Sequence, residues 1–294
     1  MQIAEGFSEL LGRYDLFLLD QFGVLHNGYA PYPSAVHLLQ QMRSAQKRVV
    51  IISNSGKSAN VNASRMRKLG FADDLYDDIV TSGEVARHRL AMPGGATAHL
   101  ALGQDHNLDS VESGNHGARC LLVTSNNDTS ALADSKLELV HSALDADIVL
   151  IAGAEPERFN LSYYEHWLAP AAQRAIPCLC INPDIISLAR TGVTFGPGKI
   201  AQIYAGLGGP VTWIGKPHAE IYRHALGRYA QVDSDRVLCV GDSIEHDIVG
   251  ATRSGLHSAL VTQGILHGSS HTELARLMRN HAATPEWLLE YFAY

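Results

Sequence analysis

The feature that most restricts this chain is an alternation. Short aliphatic and β-branched runs, each closed by Gly, Pro, Asn, Asp or Ser, are separated by longer amphipathic stretches. The runs at 14–20, 48–53, 77–82, 97–103, 119–125, 146–153, 177–183, 211–217, 236–242 and 257–263 predict strands. The stretches at 34–46, 58–69, 83–91, 159–174, 218–230 and 244–254 predict helices between most of them. A chain patterned this way buries its strands in parallel sheets with helices on both faces. The fold class is therefore α/β, with a doubly wound, Rossmann-like parallel-sheet core. Ligands of such sheets bind beyond the carboxyl ends of the strands. The polar residues just after each run are the candidates for chemistry: Asp20, Ser53 with Asn54, Lys216, and Asp242.

Composition narrows the function classes. With 294 residues, 46% of them hydrophobic and 18% charged, the chain can build one large or two modest domains around a sizeable core. A formal net charge of -7 and no Lys/Arg block give a nucleic-acid partner no support. No apolar run reaches the roughly 18 residues of a membrane span, and the start does not read as a signal peptide. Cys120, Cys178, Cys180 and Cys239 each lie in or beside a strand-like run and read as buried thiols, without zinc-finger spacing. A reducing, cytoplasmic setting is expected.

Four segments stand out. Asp20 ends the first run and is followed by Gly23, His26 and Gly28, which suit a tight turn and a flap. Alone, Asp20 could simply open a turn. In SNSGKS (53–58), a hydroxyl and backbone amides before a helical run can cradle phosphate, or can merely cap that helix. Lys216, in Gly215-Lys216-Pro217, could ground the charge of a phosphoryl group or lie in solvent. Asp242 and Asp247, in VLCVGDSIEHDIVGA (237–251), flank a strand-to-helix turn where two carboxylates could bind magnesium, or act as a cap and a surface acid.

Taken together, the order acid, hydroxyl, lysine, paired acids, each at a strand end, is far more specific than its parts. It resembles the haloacid dehalogenase superfamily. Asp20-x-x-Gly23-Val24 is similar to the first motif, Ser53 to the second, Lys216 to the third, and GDSxxxxD to the fourth. SNSGKS, LGF at 69–71, TSGE at 81–84, Asn182-Pro183-Asp184 and GKPHAEIY at 215–222 look like class IIA, the branch of pyridoxal-phosphate, nitrophenyl-phosphate and nucleotide phosphatases. The likeness runs from about residue 15 to about 267. It implies a core of residues 1–83 and 182–294 and an inserted α/β cap over 84–181. It further implies a Mg²⁺-dependent phosphatase acting on small phosphorylated metabolites such as sugar phosphates or nucleotides. In this reading Asp20 is the nucleophile. Ser53, Asn54 and Lys216 hold the phosphoryl oxygens. Asp20, the Phe22 carbonyl, Asp242 and Asp247 hold the metal. Asp184 positions the cap or contacts substrate, and caps of this kind often mediate homodimers.

One departure matters. Most phosphatases of the superfamily carry a second Asp two residues after the nucleophile, which protonates the leaving group and then activates water. Phe22 stands there and cannot transfer a proton. General acid–base catalysis is typically worth about 10²–10⁴-fold. His26, on the flap, is the residue that could substitute, since His titrates near neutrality. Two rival readings follow from Phe22: a catalytically weak binding or regulatory protein, and a metal-independent dehalogenase. Retention of Lys216, Asp242 and Asp247 favours phosphoryl chemistry over the second.

Overall fold

A computed structural model describes residues 1–4, 6–91, 117–189 and 192–293. The run expected as a strand at 97–103 lies outside them. The described residues form two compact units. The first comprises 1–53, 59–80 and 216–294, and the second 54–58 and 81–215. The second unit therefore extends beyond the span expected for a cap and takes in 182–215 as well.

The first unit is built on a seven-stranded sheet. Its strands are β1 (Gln2–Ile3), β2 (Leu16–Leu19), β3 (Arg48–Ser53), β4 (Asp78–Thr81), β12 (Val237–Gly241), β13 (His257–Val261) and β14 (Trp287–Leu289), in the order β1-β14-β13-β12-β2-β3-β4. β2 pairs in parallel with β3 on one side and with β12 on the other, Leu19 lying beside Ile51 and Val240. Every side chain of β2 is fully buried. Its LFLL sequence is an unbroken apolar run because both faces are covered, and each such side chain contributes about 1.5–3 kcal/mol by burial. Helix α2 (Ala35–Ser44) shows how a face is covered: Ala35, Leu38, Leu39 and Met42, spaced 3 and 4 apart, are its buried stripe.

Going outward from β2, the chain steps through β3 to β4 in one direction and from β12 through β13 to β14 in the other. The strand order thus reverses between β2 and β12, the switch point at which open α/β sheets bind ligands.

The second unit holds a five-stranded parallel sheet of β5 (Arg119–Val123), β6 (Glu138–Val140), β7 (Ile148–Ile151), β8 (Cys178–Cys180) and β11 (Val211–Trp213), in the order β11-β8-β7-β5-β6. An antiparallel pair, β9 (Ile186–Ala189) and β10 (Gly192–Phe195), accompanies it. Helices α5 (Leu161–Gln173) and α6 (Pro197–Gly206) pack on its core through Tyr164, Leu168, Ile200 and Tyr204. Trp167 and Trp213 are partly buried against the same core. Cys120, Cys178 and Cys180 sit in this sheet and Cys239 in the first; all four are buried free thiols. Among the described residues, no helix is long and apolar enough to cross a membrane.

The helix expected over 244–254 is divided. Residues Ile244–Ile248 form a π-turn, and a short helix follows at Val249–Arg253. The wide turn closes on the Ser243 carbonyl, which accepts from Asp247 N at 2.9 Å and Ile248 N at 3.2 Å. Such bulges often sit at functional sites.

Candidate active site

The carboxyl ends of the central strands carry the predicted residues. Asp20 follows β2, Ser53 ends β3 and Asp242 follows β12. Asp20 N–H donates to the Val240 carbonyl at 2.9 Å, so strand pairing sets the two acids at neighbouring strand ends. Lys216 enters from the segment joining the units. Its Nζ donates to Asp20 Oδ1 and to Asp247 Oδ1, each at 2.7 Å. Asp20, Asp242 and Asp247 each offer a carboxylate oxygen, and these atoms lie within 4.8 Å of one another. Relative exposure is 8% for Asp20, 3% for Lys216, 4% for Asp242 and 3% for Asp247, which disposes of the surface roles open to Lys216 and Asp247; the cap of the turn after β12 is Ser243 rather than Asp242.

Backbone groups complete the holding of the carboxylates. Asp242 Oδ2 accepts from Ile265 N at 2.8 Å, and Asp247 Oδ2 from Ser243 N at 3.1 Å. Glycine lets the chain come close enough. A Cβ on Gly23, whose φ is +77°, would lie 1.8 Å from Asp242 Oδ2, and one on Gly264 would lie 2.0 Å from the same atom. A Cβ on Gly241 would lie 2.0 Å from the Asp247 carboxyl carbon.

The electrostatics follow from this crowding. Burial pushes Asp20 up to about 7, with Lys216 pulling it down and Asp247 pushing it further up. Burial, followed by repulsion from Asp20 and Asp247, raises Asp242 well above the carboxylate range. Lys216 also loses hydration, yet its two carboxylates outweigh that and raise its pKa. Fully ionised, three buried carboxylates around one ammonium carry two negative charges in excess, which is why burial favours their protonation when no cation is bound. A divalent cation with hard oxygen ligands fits that donor set in charge and in chemistry.

The turn after Asp20 is largely buried as far as His26, while Tyr29 beyond it is 65% exposed. His26 is fully buried. Its Nδ1 accepts from Gly28 N at 3.1 Å, which leaves the proton on Nε2. Burial, and then the Arg65 charge, lower its pKa to about 4. The Phe22 ring is 4.6 Å from the His26 ring and lies 4.6 Å from the Arg65 guanidinium carbon.

Asn54 and Asp184 meet in the second unit, Asn54 Nδ2 donating to Asp184 Oδ1 at 2.8 Å. Asn54 directly follows Ser53, which is 4% exposed. The second unit also contains a cavity of about 150 Å³ at the carboxyl ends of β5, β7 and β8, lined by Ser55, Lys57, Ser125, Gly153, Asn182 and Phe195 among others. Strand order reverses there too, between β5 and β7.

Two family models match, a haloacid dehalogenase-like hydrolase over residues 17–138 and a HAD-hydrolase-like model over 213–292, together more than half of the chain. The chain belongs to the haloacid dehalogenase-like hydrolases. Among them it is similar to the 4-nitrophenylphosphatase of Schizosaccharomyces pombe, at 24% identity over 98% of this chain and 95% of that protein. A haloacid dehalogenase-like hydrolase from Brucella suis shares its fold with a TM-score of 0.81, at 25% identity, covering 99% of this chain and all of that one. The glycerol phosphate phosphatase of Mycobacterium tuberculosis, solved in complex with magnesium, aligns with a TM-score of 0.63 and 26% identity over 87% of this chain and 70% of that one. The hydrolase site also uses groups that no sequence motif announced: Gln263, Gly264 and the Ile265 N–H. They act through backbone or arrive from a distant loop, so residue type alone gave no signal.

Proposed function

We propose that this chain is a phosphoric monoester hydrolase that cleaves small phosphorylated metabolites with Asp20 as nucleophile and Mg²⁺ as cofactor. One observation carries the reading: Lys216 Nζ bridges Asp20 and Asp247 at 2.7 Å each, beside Asp242, with buried negative charge left for a divalent ion.

Asp20, Asp242, Asp247 and the Phe22 carbonyl are the groups that would hold the ion. The Phe22 assignment draws on the adjoining Gly23 backbone, which abuts the Asp242 carboxylate. When bound, magnesium neutralises phosphate charge so that an anionic nucleophile can approach. Lys216 offsets part of the cost of burying ionised Asp20 and fixes Oδ1, which directs the carboxylate. An Asp20 oxygen attacks phosphorus in line as the bond to the leaving oxygen breaks, giving an aspartyl-phosphate. Ser53 Oγ, the Asn54 N–H and Lys216 stabilise the equatorial oxygens. Asp184 holds the Asn54 side chain, so its role is positioning. Water then cleaves the acyl phosphate and restores Asp20.

The second unit corresponds in this reading to the inserted cap, expected over 84–181. Ser55, Lys57 and Asn182 line the cavity of that unit. Serine, asparagine and lysine groups suit hydroxylated metabolites such as sugar and glycerol phosphates. Phe22 supports a second reading, slow turnover in a protein whose main role is binding, because its side chain cannot supply the proton that the family's second Asp gives the leaving group. Phosphate release from a metabolite panel, with and without Mg²⁺, tests both. The enzyme reading expects Mg²⁺-dependent release that Asp20→Asn abolishes. Release that survives Asp20→Asn refutes it, and no release from any substrate favours the binding protein.

A further inference from the structure

Gln263 lies just beyond β13, outside every motif of the family resemblance. All the hydrogen-bonding directions of its carboxamide that the structure uses point at backbone. Nε2 donates to the Gly23 carbonyl at 3.2 Å and to the Val24 carbonyl at 2.8 Å. Oε1 accepts from Phe292 N at 3.1 Å. One side chain therefore ties the turn after the nucleophile to the C-terminal segment. That segment is itself fixed. Thr262 N donates to the Leu289 carbonyl at 3.0 Å, and the buried Phe292 ring stands edge-on to Phe7 at 5.0 Å.

The residues beside Gln263 and beside its two carbonyl partners both press on Asp242. Gly264 and Gly23 approach its Oδ2 from two directions, a Cβ on Gly264 falling 2.7 Å from Gly23 Cα as well as 2.0 Å from the carboxylate. Ile265 N completes the contact at 2.8 Å. The Asp242 carboxylate is thus held between two backbone segments, and Gln263 is a side chain that links them. Its chemistry suits the task. A primary amide has two N–H donors for two carbonyls and an oxygen for one N–H, so the pattern fixes its orientation and its neighbours together. No hydrophobic residue of the same size can do this, and a carboxylate would face two carbonyl oxygens with no proton to offer.

We propose that Gln263 is a positioning residue. It sets the flap turn at Gly23–Val24 against Asp242 and so tunes the affinity of the site for a divalent cation; the cation part rests on the reading of Asp242 as a metal ligand. Loss of groups that orient metal ligands typically weakens metal binding about 10–100-fold.

The test compares wild type with Gln263→Leu and Gln263→Glu, the second nearly isosteric in case the first fails to fold. Amide hydrogen exchange on the metal-free proteins reads the turn directly. The Leu25 and His26 amides, which bond to the Gln21 carbonyl, should exchange about tenfold faster in the variants, while those of β3 stay unchanged. Calorimetric titration with Mg²⁺ should show Kd raised about tenfold. Unaltered exchange in the turn overturns the proposal, as does a Kd within twofold of wild type. Exchange that rises equally in β3 also overturns it, since the effect is then global loosening. If wild-type protein takes up no Mg²⁺, the assignment of Asp242 as a ligand fails instead, and the exchange measurement alone decides whether Gln263 positions the turn.

Discussion

Replacing Lys216 with Met isolates the charge balance on which the site depends. Lys216 is 3% exposed and is the one cation bonded to the three-carboxylate cluster among the described residues. The substitution keeps most of the side-chain volume and leaves three buried acids without their ammonium. Removing one member of a buried ion pair costs about 3–5 kcal/mol, because the partner is left unpaired in a poor dielectric. At about 2–4 °C per kcal/mol this lowers the melting temperature of the metal-free protein by about 6–20 °C. The loss has a signed pH dependence. Asp20 titrates at about 7 in the folded chain, above the unfolded carboxylate range, and Asp242 is also raised. Between roughly pH 4 and 7 the folded state holds protons that the unfolded chain has released, so stability falls as pH rises through that window. Without Lys216 the downward pull on both acids is gone, and the fall is steeper. Scanning calorimetry in chelator at pH 5 and pH 8 measures it on the transition of the first unit. The variant should lose at least twice as much at pH 8 as at pH 5. Equal losses, or a shift below 1 °C at pH 8, would show that the acids are not coupled through Lys216.

Phe22→Asp should restore a proton donor and raise turnover of alkyl phosphates about 10²-fold, with a smaller gain for nitrophenyl phosphate, whose leaving group needs no proton; equal gains on both would remove Phe22 from the acid/base position. His26→Ala should leave the pH–rate profile unchanged above pH 5, because burial keeps the ring neutral there; a limb near 6.5 that vanishes with the substitution would refute this. Gly264→Ala places a methyl where Asp242 Oδ2 lies, 2.0 Å away, and calorimetric titration should show Mg²⁺ affinity reduced more than tenfold.

Much of this protein was legible in its residues. The buried strands β2, β3, β7 and β12 are each built on an apolar run, and period and length suffice to find such runs when both faces are covered. What escaped were elements whose signal is weak or external. β1 and β6 are two and three residues long, at sheet edges. The β9–β10 pair leaves Ile186 and Val193 exposed, at 63% and 72%. Helix α6 opens on Gly196 and Pro197, residues that also read as a turn. The carboxylates, the hydroxyl and the lysine could be named because ligands of such sheets gather at strand ends.

The pattern of apolar runs alone determined the fold class and which polar residues would stand at the carboxyl edge of a parallel sheet, since both follow from local periodicity. Tertiary structure alone decided that Lys216 bridges Asp20 and Asp247, that His26 is buried and neutral, and that Gln263 braces the turn beside Asp242. Those facts depend on distances between segments as many as 240 residues apart, and on burial that changes the cost of a charge. Neither is a property of any local stretch of sequence.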